Sequence, residues 1–234
     1  MKEINGVKER IVEVLKILIY KGLIKTSGHV SARVSDDRFL ITGHIHEGGR
    51  SLRGMNADDI VLCDLKGKKL EGKADAPGEV YMHSCIYTLR KDVNSVIHNH
   101  PLYSTVLAIA QRPVLPVYTS GVIFAPSVPV LDDPDHIDTE EKGMAMAKVL
   151  GKAPAILIRG HGNVVAGASL EHAAAISLRL EDNSQIQLLA CLAGEPRPIL
   201  PNEIKGQLAK MLSIAPATVE ALLNFYKEEM EESK

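Results

Sequence analysis

Val96-Ile97-His98-Asn99-His100-Pro101 is the stretch from which the fold is read. An apolar run leads into two histidines separated by one residue, and a proline follows. Residues i and i+2 of a β-strand point to the same face, so both imidazoles reach one point in space. Proline has no N–H for a sheet ladder, which puts the pair at a strand end, where α/β folds build their sites. A second apolar run, Ala155-Ile156-Leu157-Ile158, leads into Arg159-Gly160-His161-Gly162 and supplies a third histidine. Glu79 opens a helical stretch upstream. Three histidines and a carboxylate make a donor set for a divalent metal such as zinc. The alternative is a group of capped strand-end histidines with no ligand.

The whole chain sets the limits. Its 234 residues carry a formal net charge of −2, with few aromatic residues and no Trp. That balance excludes a general nucleic-acid or anionic-membrane surface, and no apolar run reaches the ~18 residues of a membrane span. The opening Met1-Lys2-Glu3-Ile4-Asn5 has no signal-peptide core, so a cytoplasmic protein is expected. Cys63, Cys85 and Cys191 are odd in number and far apart, which argues against a disulfide framework or a cysteine-rich zinc site.

Taken in order, Val7, Ile11, Val14, Leu15 and Leu18 recur at helical spacing and Gly22 closes the run, predicting a helix over about 6–21. Thr26 to Arg33 then carries small residues, hydroxyls and a glycine, suited to close approach of a ligand anion or to an ordinary turn into a strand. Phe39–Thr42 reads as a strand that runs into Gly43-His44-Ile45-His46-Glu47-Gly48-Gly49-Arg50-Ser51-Leu52-Arg53. The cations of this loop suit carboxylate or phosphate recognition; metal ligation by His44 or His46 is the lesser reading. The substrate-binding candidates are therefore Gly28, Ser31, Thr42, Gly43, His44, His46, Arg50 and Arg53. Asp59–Leu65 is a strand, with a hairpin-type turn at Lys66-Gly67-Lys68. A helix is expected from Pro77 to about Arg90, with Glu79 in its first turn and His83 on the same face as a packed, hydrogen-bonded partner. Strands at 94–100, 114–118, 155–158 and 163–166 alternate with helices at 102–110 and 139–150. Residues 119–135 form a long loop of the kind that is functional or interfacial. Ser169 caps a long helix that ends near Ala193. Glu195-Pro196-Arg197-Pro198 breaks the chain before two tail helices. The alternation predicts one α/β or α+β domain with a helix-covered central sheet.

Four motifs in this order resemble the class II aldolase/adducin family over about residues 7–195: Gly28-His29-Val30-Ser31, Pro77-Gly78-Glu79, Asp92 to His100, and Gly160-His161-Gly162. The resemblance implies an αβα three-layer sandwich with a mostly antiparallel sheet. Residues 1–200 would form the catalytic domain, and 201–234 a helical tail packed on it or on a neighbouring subunit. It also implies one divalent metal per chain on His98, His100 and His161, with Glu79 as acid/base and as a further ligand when substrate is absent. Zinc leads manganese, iron and cobalt as the metal. A homotetramer with interfacial active sites follows, in which Tyr118 lies near the place of a proton-donating tyrosine given across the interface. The sugar-phosphate aldolases of the family have asparagine at the position of His29 and two serines where this chain has Pro77-Gly78. With those hydroxyls gone, the variant looks like the decarboxylase branch acting on hydroxylated aromatic or pyridine carboxylates, and His29 joins Glu79 as a catalytic candidate. The expected activity is therefore a metal-dependent carbon–carbon lyase working through a stabilised enolate on a small molecule. A sugar-phosphate aldolase or epimerase, and a non-catalytic adducin-like module, are the alternatives.

Overall fold

The computed structural model describes residues 2–45, 50–204 and 216–233. The periodic apolar positions of the N-terminal segment form helix α1 (Lys2–Tyr20), with Ile11, Leu15 and Leu18 fully buried. Gly22, at φ +72°, ends it. The left-handed conformation there is one that glycine adopts without steric cost.

Eight strands follow: β1 (His29–Ser35), β2 (Arg38–Thr42), β3 (Ile60–Asp64), β4 (Lys69–Glu71), β5 (Ser95–Asn99), β6 (Val130–Leu131), β7 (Ala155–Ile158) and β8 (Gly162–Gly167). They form one sheet in the order β4-β3-β2-β1-β5-β8-β7-β6. Every pair is antiparallel except β6 with β7. The helices are α2 (Tyr81–Leu89), α3 (Leu102–Ile109), α4 (Glu140–Leu150), α5 (Leu170–Ala193) and α6 (Pro216–Glu232). Alternate strand residues feed two cores. Val30, Leu40, Ile97 and Val165 pack with α1, α3, α5 and α6 on one face. Phe39, Ile41, Val96 and Val164 pack with α2 and α4 on the other. The result is the expected αβα sandwich with a mostly antiparallel sheet. Helix α6 buries Val219 and Leu223 in the same core as α1 and α5, and Lys227 pairs with Glu13 at 2.9 Å. Among the described residues no helix is long and apolar enough to cross a membrane.

Two elements differ from expectation. Residues 114–118 do not form a strand and keep only an isolated bridge from Val114 to Val128. Pro113 and Pro116 remove ladder donors, and side-chain amides of α5 take over the backbone groups. Asn183 Nδ2 donates to the Leu115 carbonyl at 2.7 Å and Gln187 Oε1 accepts from the Leu115 N–H at 2.7 Å. Asn183 Oδ1 accepts from the Tyr118 N–H at 3.2 Å. The helix expected from Pro77 begins at Tyr81, so Glu79 sits in the turn just before α2, where its carbonyl accepts from the Met82 N–H at 3.1 Å.

Candidate metal centre

The site forms at one end of the sheet because three strands of opposite direction meet there. β5 finishes beside the start of β1, with His98 opposite His29, and beside the start of β8, with Asn99 opposite Asn163. His161 lies in the turn between β7 and β8, where its N–H donates to the Ile158 carbonyl at 3.1 Å. Gly28 lets β1 come this close: at φ +133°, a Cβ there would stand 2.9 Å from the His98 carbonyl oxygen.

His98 shares the face of Val96, towards α2 and α4. Its ring centroid lies 4.5 Å from that of His100 and 4.9 Å from that of His161, and His100 and His161 stack at 5.2 Å. One donor atom from each of the three falls within 4.8 Å of the others. For two of the three the second nitrogen shows which atom that is. His98 Nδ1 is 3.0 Å from the Asn163 carbonyl oxygen, and His100 Nδ1 is 3.2 Å from the Ser27 carbonyl oxygen. A carbonyl only accepts, so both Nδ1 atoms carry the proton and both Nε2 atoms present lone pairs. His98 Nε2 is buried without a hydrogen-bond partner. Burial, followed by the neighbouring His100, His29 and His161, pushes the His98 pKa well down. Burial also lowers His100 and His161. Neutral imidazoles with clustered donor atoms are what a divalent ion requires, so these residues fit such an ion.

Glu79, mostly buried, completes the group. Its Oε2 is 3.7 Å from His98 Nε2 and its Oε1 3.6 Å from His161 Nε2. Oε1 also meets two groups that the sequence reading passed over, His136 Nδ1 and the Ile137 N–H, each at 3.3 Å. The only sequence signal for His136 is its position in the acidic run Asp132-Asp133-Pro134-Asp135.

The other candidates divide. His29 lies in contact with the centre, its ring 5.6 Å from His98 and 5.9 Å from His83. Gly43 and His44 lie at the same end of the sheet, their N–H groups donating to the Asp59 and Asp75 carbonyls. Three substrate-binding candidates are already engaged by other groups of the protein. Ser31 is not open to substrate: its hydroxyl is buried 2.7 Å from both His83 Nδ1 and Tyr87 Oη. Thr42 is buried too, and its hydroxyl accepts from the Val30 N–H at 3.1 Å. Arg50 is engaged by Asp59 through two bonds of 2.8 Å, which neutralise its charge locally. Arg53 is exposed in a 3-10 turn. Tyr118 is 47% exposed and is outside the histidine group. His46 lies outside the described residues. His83 is a buried hydrogen-bonded partner, as expected.

A family profile described as Class II Aldolase and Adducin N-terminal domain matches residues 9–188. The 3,4-dihydroxyphthalate decarboxylase of Arthrobacter keyseri is 27% identical over 87% of this chain and 86% of its own length. The L-fuculose phosphate aldolase of Escherichia coli is 29% identical over 86% of this chain and 91% of its own. The L-fuculose 1-phosphate aldolase of Glaciozyma antarctica shares the fold, with a TM-score of 0.79 and 23% identity over 98% of this chain and 90% of that one.

Proposed function

The chain belongs to the class II aldolase and adducin family, and on that premise we propose that it is a divalent-metal-dependent lyase that decarboxylates a small hydroxylated aromatic or heteroaromatic acid. The observation carrying the metal-dependent reading is the convergence of donor atoms of His98, His100 and His161, with Nε2 of His98 and His100 left free by their Nδ1 contacts, beside the Glu79 carboxylate. A bound ion, with zinc ahead of manganese, iron and cobalt, supplies a Lewis acid for the charge that carbon–carbon cleavage leaves behind.

The protein does the rest. His98 is locked by the Asn163 carbonyl and His100 by that of Ser27, so neither ring reorients during turnover. Glu79 is within reach of the centre and carries the proton. As the carboxylate carbon departs as CO2, the bonding pair stays on the ring carbon, which takes a proton from Glu79 or His29; solvent then restores it. His44 and Arg53 are the side chains we assign to the substrate carboxylate. Buried Ser31 and Thr42, together with Pro77-Gly78 ahead of Glu79, leave few hydroxyls for a phosphate. That supports a non-phosphorylated acid over a sugar phosphate. Exposed Leu102, Ile109, Leu189 and Leu192 support self-association, which we take to be a homotetramer with the half-exposed Tyr118 given to a neighbour's site.

The test is metal content of purified wild type and His161→Ala, followed by assays of CO2 release from hydroxylated aromatic acids and aldehyde release from sugar phosphates. Stoichiometric metal lost in the variant, with CO2 release, is the expected result. Aldehyde release alone would replace decarboxylation by aldol cleavage. Absence of metal after reconstitution would overturn the lyase reading in favour of an adducin-like binding role.

A further inference from the structure

Glu79 is a long side chain, and a free glutamate gives up rotamer entropy when it is held in one place. Something must hold it if it is to serve the centre reproducibly. Among the described residues the hydrogen bonds that hold it fall on one oxygen. Oε1 receives His136 Nδ1 and the Ile137 N–H, both at 3.3 Å, and stands 3.6 Å from His161 Nε2, while Oε2 stands 3.7 Å from His98 Nε2. We propose that His136 is a positioning residue that, through its bond to Oε1, fixes the Glu79 carboxylate beside the metal position. This rests on the metal-centre reading above.

The segment carrying His136 is anchored without help from Glu79. Lys142 Nζ on α4 donates to Asp135 at 2.8 Å, to Asp138 at 3.0 Å and to the His136 carbonyl at 3.0 Å. At the other end Arg159 pairs with Asp132. Arg159 lies two residues before His161, so one ion pair ties the His136 segment to the turn that carries a metal candidate. The His136 ring also lies 5.3 Å from that of His161.

His136 has a second conceivable role, as a ligand itself, since Glu79, His136 and His161 offer donor atoms within 4.8 Å of one another. The Glu79 contact occupies Nδ1, because a carboxylate accepts and Nδ1 then carries the hydrogen; ligation by His136 would run through Nε2, and the Gln replacement and the double variant separate that role from positioning. His161 is common to both groups, so the second set shares a residue with the first. The His136 side chain is 75% exposed, and its replacement leaves the core intact.

The experiment is competition of zinc-loaded protein against a chromophoric chelator for wild type, His136→Ala, His136→Gln, Glu79→Ala and the Glu79→Ala/His136→Ala double variant. Groups that orient a metal-site carboxylate typically contribute 10–100-fold to affinity, so His136→Ala is expected to weaken zinc retention about tenfold. His136→Gln, which keeps an N–H donor, is expected to regain most of it. In the Glu79→Ala background the His136 replacement should change retention less than about twofold, because the group it acts through is gone. Unchanged retention in His136→Ala overturns the proposal, as does a full additive loss in the double variant with no rescue by Gln, which would make His136 a ligand. A wild type that holds no zinc overturns this proposal and the lyase reading together; a zinc-holding wild type matched by His136→Ala overturns this one alone.

Discussion

Gly28→Ala tests whether the approach of β1 to β5 builds the centre. Gly28 has φ +133°, and an added Cβ would lie 2.9 Å from the His98 carbonyl oxygen and 2.9 Å from Ile24 Cγ1. Two effects add. The positive φ costs an L-residue roughly 1–2 kcal/mol, and crowding a packed site costs about 1–3 kcal/mol. Alanine returns about 0.4–1 kcal/mol by restricting the unfolded chain. The net loss is about 1–4.5 kcal/mol, centred near 3, or roughly 6–12 °C in Tm at the centre for a domain of this size. Gly22→Ala separates the effects: its φ is +72° and nothing lies within 4 Å of the added Cβ, so it carries strain without crowding and should lose about 1 kcal/mol or less. Urea unfolding of the metal-free proteins gives both numbers, and zinc retention gives the consequence. Because the neighbour of the added Cβ is the His98 backbone itself, Gly28→Ala should weaken zinc retention and Gly22→Ala should not. If the two variants lose equal stability and retain zinc like wild type, the reasoning is refuted.

His83 gives a pH dependence. Burial first, then the neighbouring His29, lowers its pKa well below 6.5, so the unfolded chain binds a proton that the folded one refuses. Stability from this residue is complete above pH 6.5 and declines as pH falls below it, by up to about 1.4 kcal/mol per pH unit. Urea midpoints between pH 7.5 and 5.5 should therefore fall, and more gently in His83→Gln; parallel slopes would contradict this. Asn183→Ala removes the partners of the Leu115 carbonyl and the Tyr118 N–H and should cost about 2–3 kcal/mol, with faster amide exchange confined at first to residues near 115–118. Uniform exchange would show that α5 does not hold this segment. Zinc at about 100 times its Kd should raise unfolding free energy by about 2.7 kcal/mol, and His98→Ala should abolish that increment; an equal increment in the variant would place the ion elsewhere.

What the sequence determined by itself is whatever depends on local period and local chemistry. The spacing of Val7 to Leu18, the Ser169 cap, the turn at Lys66-Gly67-Lys68 and the apolar runs before His98 and His161 set elements that the structure contains. The two-residue period of a strand put His98 and His100 on one face before any coordinates were known. Tertiary structure decided what depends on partners distant in the chain. Residues 114–118 read as a strand, but their backbone groups are taken by Asn183 and Gln187, about 70 positions later. Ser31 and Thr42 read as anion binders, but register buries both hydroxyls against His83, Tyr87 and the Val30 N–H. Arg50 read as a substrate cation until the fold set it against Asp59. His136 stands in an acidic loop with no period to place it, and only the anchoring of that loop by Lys142 and Arg159 brings it to Glu79. A side chain's direction follows from its own strand or helix; the group it meets there follows from the packing of the whole chain.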